Sequence, residues 1–257
     1  MKLPALFVSH GPPNIILHDR PVRTFIAGLG EQLGRPRAAV VISAHWEART
    51  PTVNFTAKPK TIHDFFGFEP PLYEMSYPAP GATELAEDVA RRLEAAGMRV
   101  ARDTTRGLDH GVWVPLRLMY PGADIPVTQI SVQRFESTQH HYLIGQSLRE
   151  LRDDGVLILA SGNATHNLRA MMPDGSEPPA WVSTFAVWLR NEISNGDTAD
   201  LLGYRDTAPF AMENHPTEEH FLPLFTALGA GTPGTPGRIL HSSYMNGVLA
   251  MDAYAFD

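Results

Sequence analysis

Cysteine is absent from the 257 residues. With it go disulfides, thiolate nucleophiles, cysteine-built zinc fingers and iron–sulfur clusters. A transition metal in this chain must be held by imidazoles and carboxylates. Charge is sparse, at 19%, and its balance is acidic: 21 Lys plus Arg against 28 Asp plus Glu, a formal charge of -7. Nucleic acid and anionic membrane both demand a basic surface, so neither is expected as a partner. No apolar run approaches the roughly 18 residues needed to cross a bilayer. The opening MKLPALFVSHG has too short an apolar stretch for a signal-peptide core and no small-residue cleavage site after it, so a cytoplasmic protein is expected. Also missing are HExxH, a GxGxxG after a strand, a P-loop and GxSxG. A zinc protease, dinucleotide enzyme, NTPase or serine hydrolase of those types is unsupported.

What is present is an apolar fraction of 43%, enough for a core, and eleven histidines. Near-continuous apolar runs at Ala5–Ser9, Ala38–Ser43, Ile125–Ser131 and Val156–Ala160 suit strands buried on both faces, as in a mostly parallel sheet. Helical spacing lies between them. Thr83–Ala96 carries Leu85, Val89 and Leu93 before Gly97; Gln139–Arg152 carries Ile144, Leu148 and Leu151. Ala180–Ser194 carries a core stripe of Trp181, Phe185 and Trp188, and Pro216–Leu228 has proline at a plausible first helical position. The alternation predicts one α/β domain over residues 1–257, with a mostly parallel central sheet and helices on both faces. The stretch from Arg49 to Gly81 is loop-like and aromatic, and loops of that length are often functional.

Ligands gather beyond the carboxyl ends of strands in open α/β sheets. His10 and His45 each follow a strand pattern directly, and adjacent parallel strands lie about 4.8 Å apart, so two such imidazoles can reach one ion. His166, in SGNATHNL, falls past a third strand. His110, in GLDHGVW, lies between glycine and an apolar segment. His220, in HPTEEHFLPL, is one helical turn after Pro216, with Glu218 and Glu219 beside it, and periodicity does not say which of these points inward. His63, on the aromatic loop, could line a pocket. His18 and His241 have no such context, and the pair His140-His141 reads as solvated surface at a helix start. Imidazole suits zinc, iron, copper and nickel, so ligand type leaves the metal open.

Eight blocks occur in order over most of the chain: HGPPN, VVISAHW, TIHDFFGF, YPAPG, GLDHGVW, YPGADIPVTQIS, SGNATHNLR and HPTEEHFLPL. Together they resemble the class III (LigB-like) extradiol ring-cleavage dioxygenases, in the DOPA 4,5-dioxygenase-like branch. The resemblance implies a metal site of His10, His45 and His220 at the carboxyl edge of the strands. It makes His166 an acid/base that can serve as a fourth ligand when zinc is bound. His110 becomes a second histidine acting on substrate or oxygen, and His63, Phe65 and Tyr77 the aromatic wall. One divalent ion per chain is implied, Fe(II) for catalysis with Zn(II) possible in the purified protein. The implied partners are a small aromatic diol and O2, in a monomer or homodimer. Relatives of the protocatechuate type use a glutamate as third ligand, which leaves Glu219 beside His220 as the alternative. Pro12 stands where serine is usual, a change of loop shape. The rival readings are a zinc-dependent hydrolase and a non-catalytic metal or interaction protein on the same fold.

Overall fold

A computed structural model describes residues 2–257. Its centre is a parallel group of four strands: β1 (Ala5–Ser9), β2 (Ala38–Glu47), β5 (Val127–Val132) and β6 (Val156–Gly162), side by side in the order β5-β2-β6-β1. The short strands β3 (Thr52–Asn54) and β4 (Ala101–Asp103) extend one edge. The strands β7 (Arg238–His241) and β10 (Ala253–Phe256) extend the other, with β10 antiparallel to β1. A separate ribbon pairs β8 (Tyr244–Met245) with β9 (Leu249–Ala250).

The β-branched and leucine-rich runs form strands because both of their faces are covered. Phe7, Val40 and Ile158 point into one core with the helices α3 (Thr83–Ala95), α5 (Thr138–Leu148), α6 (Ala180–Asn195) and α10 (Leu222–Ala230). Leu6, Val41 and Leu159, one residue along, point into the other core with α1 (Pro21–Leu33) and α4 (His110–Met119). Burying each such side chain stabilises the fold by about 1.5–3 kcal/mol. The remaining helices are short: α2 (Pro70–Glu74), α7 (Thr198–Leu202), α8 (Tyr204–Thr207) and α9 (Ala211–Asn214). No helix among the described residues is long and apolar enough to cross a membrane.

The α/β architecture and its strands stand where the apolar runs place them, with three corrections. The helix expected from Pro216 begins at Leu222, with Pro223 in its first turn. The first-turn proline rule applies, but to the second proline; residues 216–221 form turns closed by Phe221 and Leu222 amides donating to the Glu218 carbonyl. His220 therefore lies on a turn and not on a helix face. His141 is fully buried, not surface: its Nε2 accepts from the Gln133 amide at 3.1 Å and its Nδ1 faces the Ser137 carbonyl at 3.0 Å. Finally, β1 and β2 are not neighbours. β6 runs between them, so the chain ends carrying His10 and His45 are two strand spacings apart, about 9.6 Å.

Candidate metal centre

Three local devices close that gap. At the end of β1 the His10 amide donates to the Gly162 carbonyl at 2.9 Å, which pulls the chain over the end of β6. In β2 the register with β5 slips: Ile42 pairs with Ile130, yet Glu47 already pairs with Val132. Four residues, Ser43 to Trp46, stand opposite the single Ser131, while Ser43 still pairs with Ser161 of β6, so the strand bulges just after Ser43, where it carries His45, a common use of bulges beside functional sites. Arg106 braces the bulge by donating to the His45 carbonyl at 3.2 Å and to Asp109 at 3.1 Å, while Ser43 Oγ donates to Asp109 at 2.6 Å. The turn bearing His220 docks on β6 because the Asn163 amide donates to the His220 carbonyl at 2.8 Å. Gly162 permits this approach, since a Cβ there would lie 2.1 Å from that carbonyl oxygen.

The result is a knot of five imidazoles. Nε2 of His10 lies 3.0 Å from Nε2 of His45, which lies 3.3 Å from Nε2 of His220. The other nitrogen of each ring is engaged. His10 Nδ1 meets Ser161 Oγ at 2.9 Å, and that hydroxyl spends its single proton on the Gly111 carbonyl, so it must accept from His10. His220 Nδ1 meets the Glu219 carboxylate at 3.0 Å, and His45 Nδ1 faces Asp64 Oδ2 at 3.4 Å. A carboxylate accepts only, so His220 carries its proton on Nδ1, and the Asp64 carboxylate facing His45 favours the same tautomer there. Three Nε2 lone pairs are thus turned toward one another.

The two further rings flank this trio. His166 lies flat on His220, and the His110 ring centroid is 3.9 Å from that of His45. One nitrogen each from His10, His45 and His110 also falls within 4.8 Å, as do ligand atoms of His166, Glu219 and His220. His10 is 1% exposed and His220 6%. Desolvation, then repulsion from neighbouring imidazoles, holds both well below the ordinary histidine range. Burial, then His110, brings His45 down to about 3; burial brings His166 down to about 4. All four are neutral near pH 7, the form that offers a lone pair to a cation.

The knot floors a cavity of about 450 Å³. Phe65, Phe68, Leu249 and Met245 supply apolar walls, and His18 and Arg20 stand at its rim. Of the residues expected along the aromatic wall, Phe65 lines the cavity. His63 does not: its Nε2 lies 3.0 Å from the Met75 carbonyl, and its ring packs edge-on to Phe65 and Trp113. Tyr77 is fully buried and donates its hydroxyl to the Tyr120 carbonyl at 3.1 Å. Both shape the loop from behind. Sequence reasoning passed over Asp64, Ser161 and the Arg106–Asp109–Ser43 brace. Asp64 sat in plain view inside TIHDFFGF, next to the histidine that drew attention.

Nearly the whole chain, residues 4–256, matches the family described as the catalytic LigB subunit of aromatic ring-opening dioxygenase. It is 41% identical over 254 residues to a 4,5-DOPA dioxygenase extradiol of Beta vulgaris, covering 97% of this chain and 95% of the relative. It is 37% identical to the Escherichia coli K12 protein of the same description, covering 97% and 93%. The crystal structure of an uncharacterized protein from Escherichia coli K12 superimposes with a TM-score of 0.85 at 34% identity over the full length of both chains. With a fold, a histidine-floored cavity and relatives that agree along its length, the chain belongs to the LigB family, in the DOPA 4,5-dioxygenase-like branch, and is an extradiol aromatic ring-opening dioxygenase.

Proposed function

We propose that the enzyme binds one divalent cation between Nε2 of His10, His45 and His220 and opens a small catechol, DOPA-like or simpler, to a muconic semialdehyde-type product. The observation that carries this is the convergence of three Nε2 atoms, with the far nitrogen of His10 and of His220 hydrogen-bonded to an acceptor and that of His45 facing the Asp64 carboxylate. Without a cation between them the lone pairs repel. Nitrogens about 2.0–2.1 Å from a shared ion lie about 2.9–3.4 Å apart at ordinary ligand angles. The separations of 3.0 and 3.3 Å fall in that range. Iron(II) bound there would acidify a catechol hydroxyl and supply the redox chemistry that joins dioxygen to the ring. The same nitrogens suit zinc(II), which has no redox chemistry.

The chain's own residues bind, orient and move protons. Neutral imidazoles leave the cation's charge uncompensated, which favours a catechol bound as its anion. His166, neutral by burial, accepts the proton of the second hydroxyl and returns it as the ring opens. It is also close enough to the trio to act as a fourth ligand to zinc. His110, with Nδ1 on Asp64 at 2.9 Å, presents Nε2 to the cavity. With the proton held on Nδ1 by the Asp64 carboxylate, Nε2 accepts, and it orients a hydroxyl of the bound diol. Phe65 and Phe68 wall a flat ring and exclude water. Both oxygen atoms of O2 end in the product, so no outside reductant is consumed.

The test is reconstitution without air using Fe(II) or Zn(II), followed by oxygen and a panel of catechols, esters and amides. The expected result is iron-dependent uptake of one O2 per catechol with a yellow product. Zinc-dependent ester or amide hydrolysis with no oxygen uptake would replace this reading with the hydrolase.

A further inference from the structure

Asp64 touches two histidines of the knot at once. Its Oδ1 accepts from Nδ1 of His110 at 2.9 Å and from the His110 backbone amide at 3.0 Å, and its Oδ2 faces Nδ1 of His45 at 3.4 Å. The amide it holds is the first of α4. The residue that should cap that helix, Asp109, makes no cap hydrogen bond because Ser43 and Arg106 have taken its carboxylate. A carboxylate delivered by the aromatic loop, 46 positions earlier in the chain, occupies the helix N-terminus instead, where the helix dipole favours an anion. Burial alone would raise the Asp64 carboxyl, but hydrogen bonds from His110 outweigh it and bring it down to about 2.

We propose that Asp64 is a positioning residue that sets the tautomer of both rings, turning the lone pair of His45 to the cation and Nε2 of His110 to the cavity. The two rings need one acceptor oxygen each, and a carboxylate supplies two. An amide supplies one. In Asp64→Asn the side-chain amide would keep its oxygen toward His110, where two N–H groups wait, and so would place its NH2 against Nδ1 of His45. That ring must then accept on Nδ1, protonate Nε2 and withdraw its lone pair from the site. Partners of this kind, on the far nitrogen of a ligand ring, are worth about 10–100-fold in metal affinity. The inference rests on the cation site proposed above.

The experiment uses the full chain, metal-free and with zinc(II) alone, in wild type, Asp64→Asn and Asp64→Ala. Thermal unfolding of the metal-free forms checks folding, chelator competition reads zinc affinity, and ¹⁵N NMR reads each ring's protonated nitrogen. Metal-free wild type should show Nδ1–H on both His45 and His110. Asp64→Asn should keep Nδ1–H on His110, switch His45 to Nε2–H and weaken zinc about 10–100-fold. Asp64→Ala should release both rings. An Nε2–H tautomer at either ring in wild type overturns the proposal even if no variant folds. So does wild-type zinc affinity in a folded Asp64→Asn protein, or zinc loss with the His45 tautomer unchanged. If wild type itself binds no zinc, the cation reading fails, while the metal-free spectra still decide the role of Asp64.

Discussion

The imidazole of His166 lies flat against that of His220, ring centroids 3.5 Å apart and planes 12° from parallel. His166 reaches this place from the loop after β6, its amide anchored on the Asn214 carbonyl at 2.9 Å. Its ring has no hydrogen-bond partner among the described residues, unlike those of His10 and His220, whose far nitrogens are hydrogen-bonded, and His45, whose far nitrogen faces Asp64. That difference separates proton transfer from cation binding. His166→Ala should lower kcat by about 10²–10⁴-fold. Metal content after dialysis should stay near wild type. Near-normal turnover at saturating catechol would remove the acid/base assignment.

Gly162 sets the distance between β6 and the turn that carries His220. A methyl group there meets backbone, not a flexible side chain, so the turn must move. Gly162→Ala should cost about 1–3 kcal/mol of stability, the range for overpacking. It should also weaken metal binding, because His220 leaves its place opposite His45. Urea titration and chelator competition read the two effects.

His141 gives acid sensitivity away from the cavity. Burial brings it down to about 4 in the folded chain from 6.5, and both ring nitrogens are satisfied in the neutral form. The unfolded chain therefore binds this proton at higher pH than the folded one. Its contribution is complete above pH 6.5 and is lost as pH falls toward about 4, at up to about 1.4 kcal/mol per pH unit. Urea unfolding of metal-free protein across that window should show the slope. His141→Asn should flatten it by about one proton while lowering stability at pH 8 by about 1–3 kcal/mol for the lost buried hydrogen bonds.

Metal removal should be visible as lost stability. A cation at 100 times its dissociation constant adds about 2.7 kcal/mol to a site absent from the unfolded chain. For a domain of this size that corresponds to about 5–10 °C in Tm. Calorimetry before and after chelation should show this drop, and zinc should restore it. In His10→Ala or His45→Ala the drop should vanish, because nothing is left to remove; a full metal-dependent shift in either variant would take that residue out of the site.

The sheet was legible because its strands are buried on both faces and read as unbroken apolar runs. His10 and His45 were legible for the same reason: each follows such a run. The route by which they meet was not. Nothing in local sequence marks β6 as the strand between them, and the β2 bulge depends on a register with β5 that is set by pairing across the sheet. His220 was found by its block, but its setting was misplaced by one proline, since Pro216 and Pro223 satisfy the same first-turn rule. His141 looked like surface because a helix start beside serine and glutamine is polar in sequence, whereas it is buried, and its Nε2 bonded, only once the chain just after β5, at Gln133, packs against it. Tyr77 and His63 belong to an aromatic loop whose inner and outer faces carry no distinguishing pattern, so Phe65 alone of the three lines the cavity.

Anomalous diffraction from a crystal loaded with iron(II) without air and soaked with a catechol tests the central claim most directly. The account predicts a single metal peak within bonding distance of Nε2 of His10, His45 and His220, with the diol between it and Phe65. A peak bound instead by His10, His45 and His110, or by His166 and Glu219 apart from His10, would contradict it.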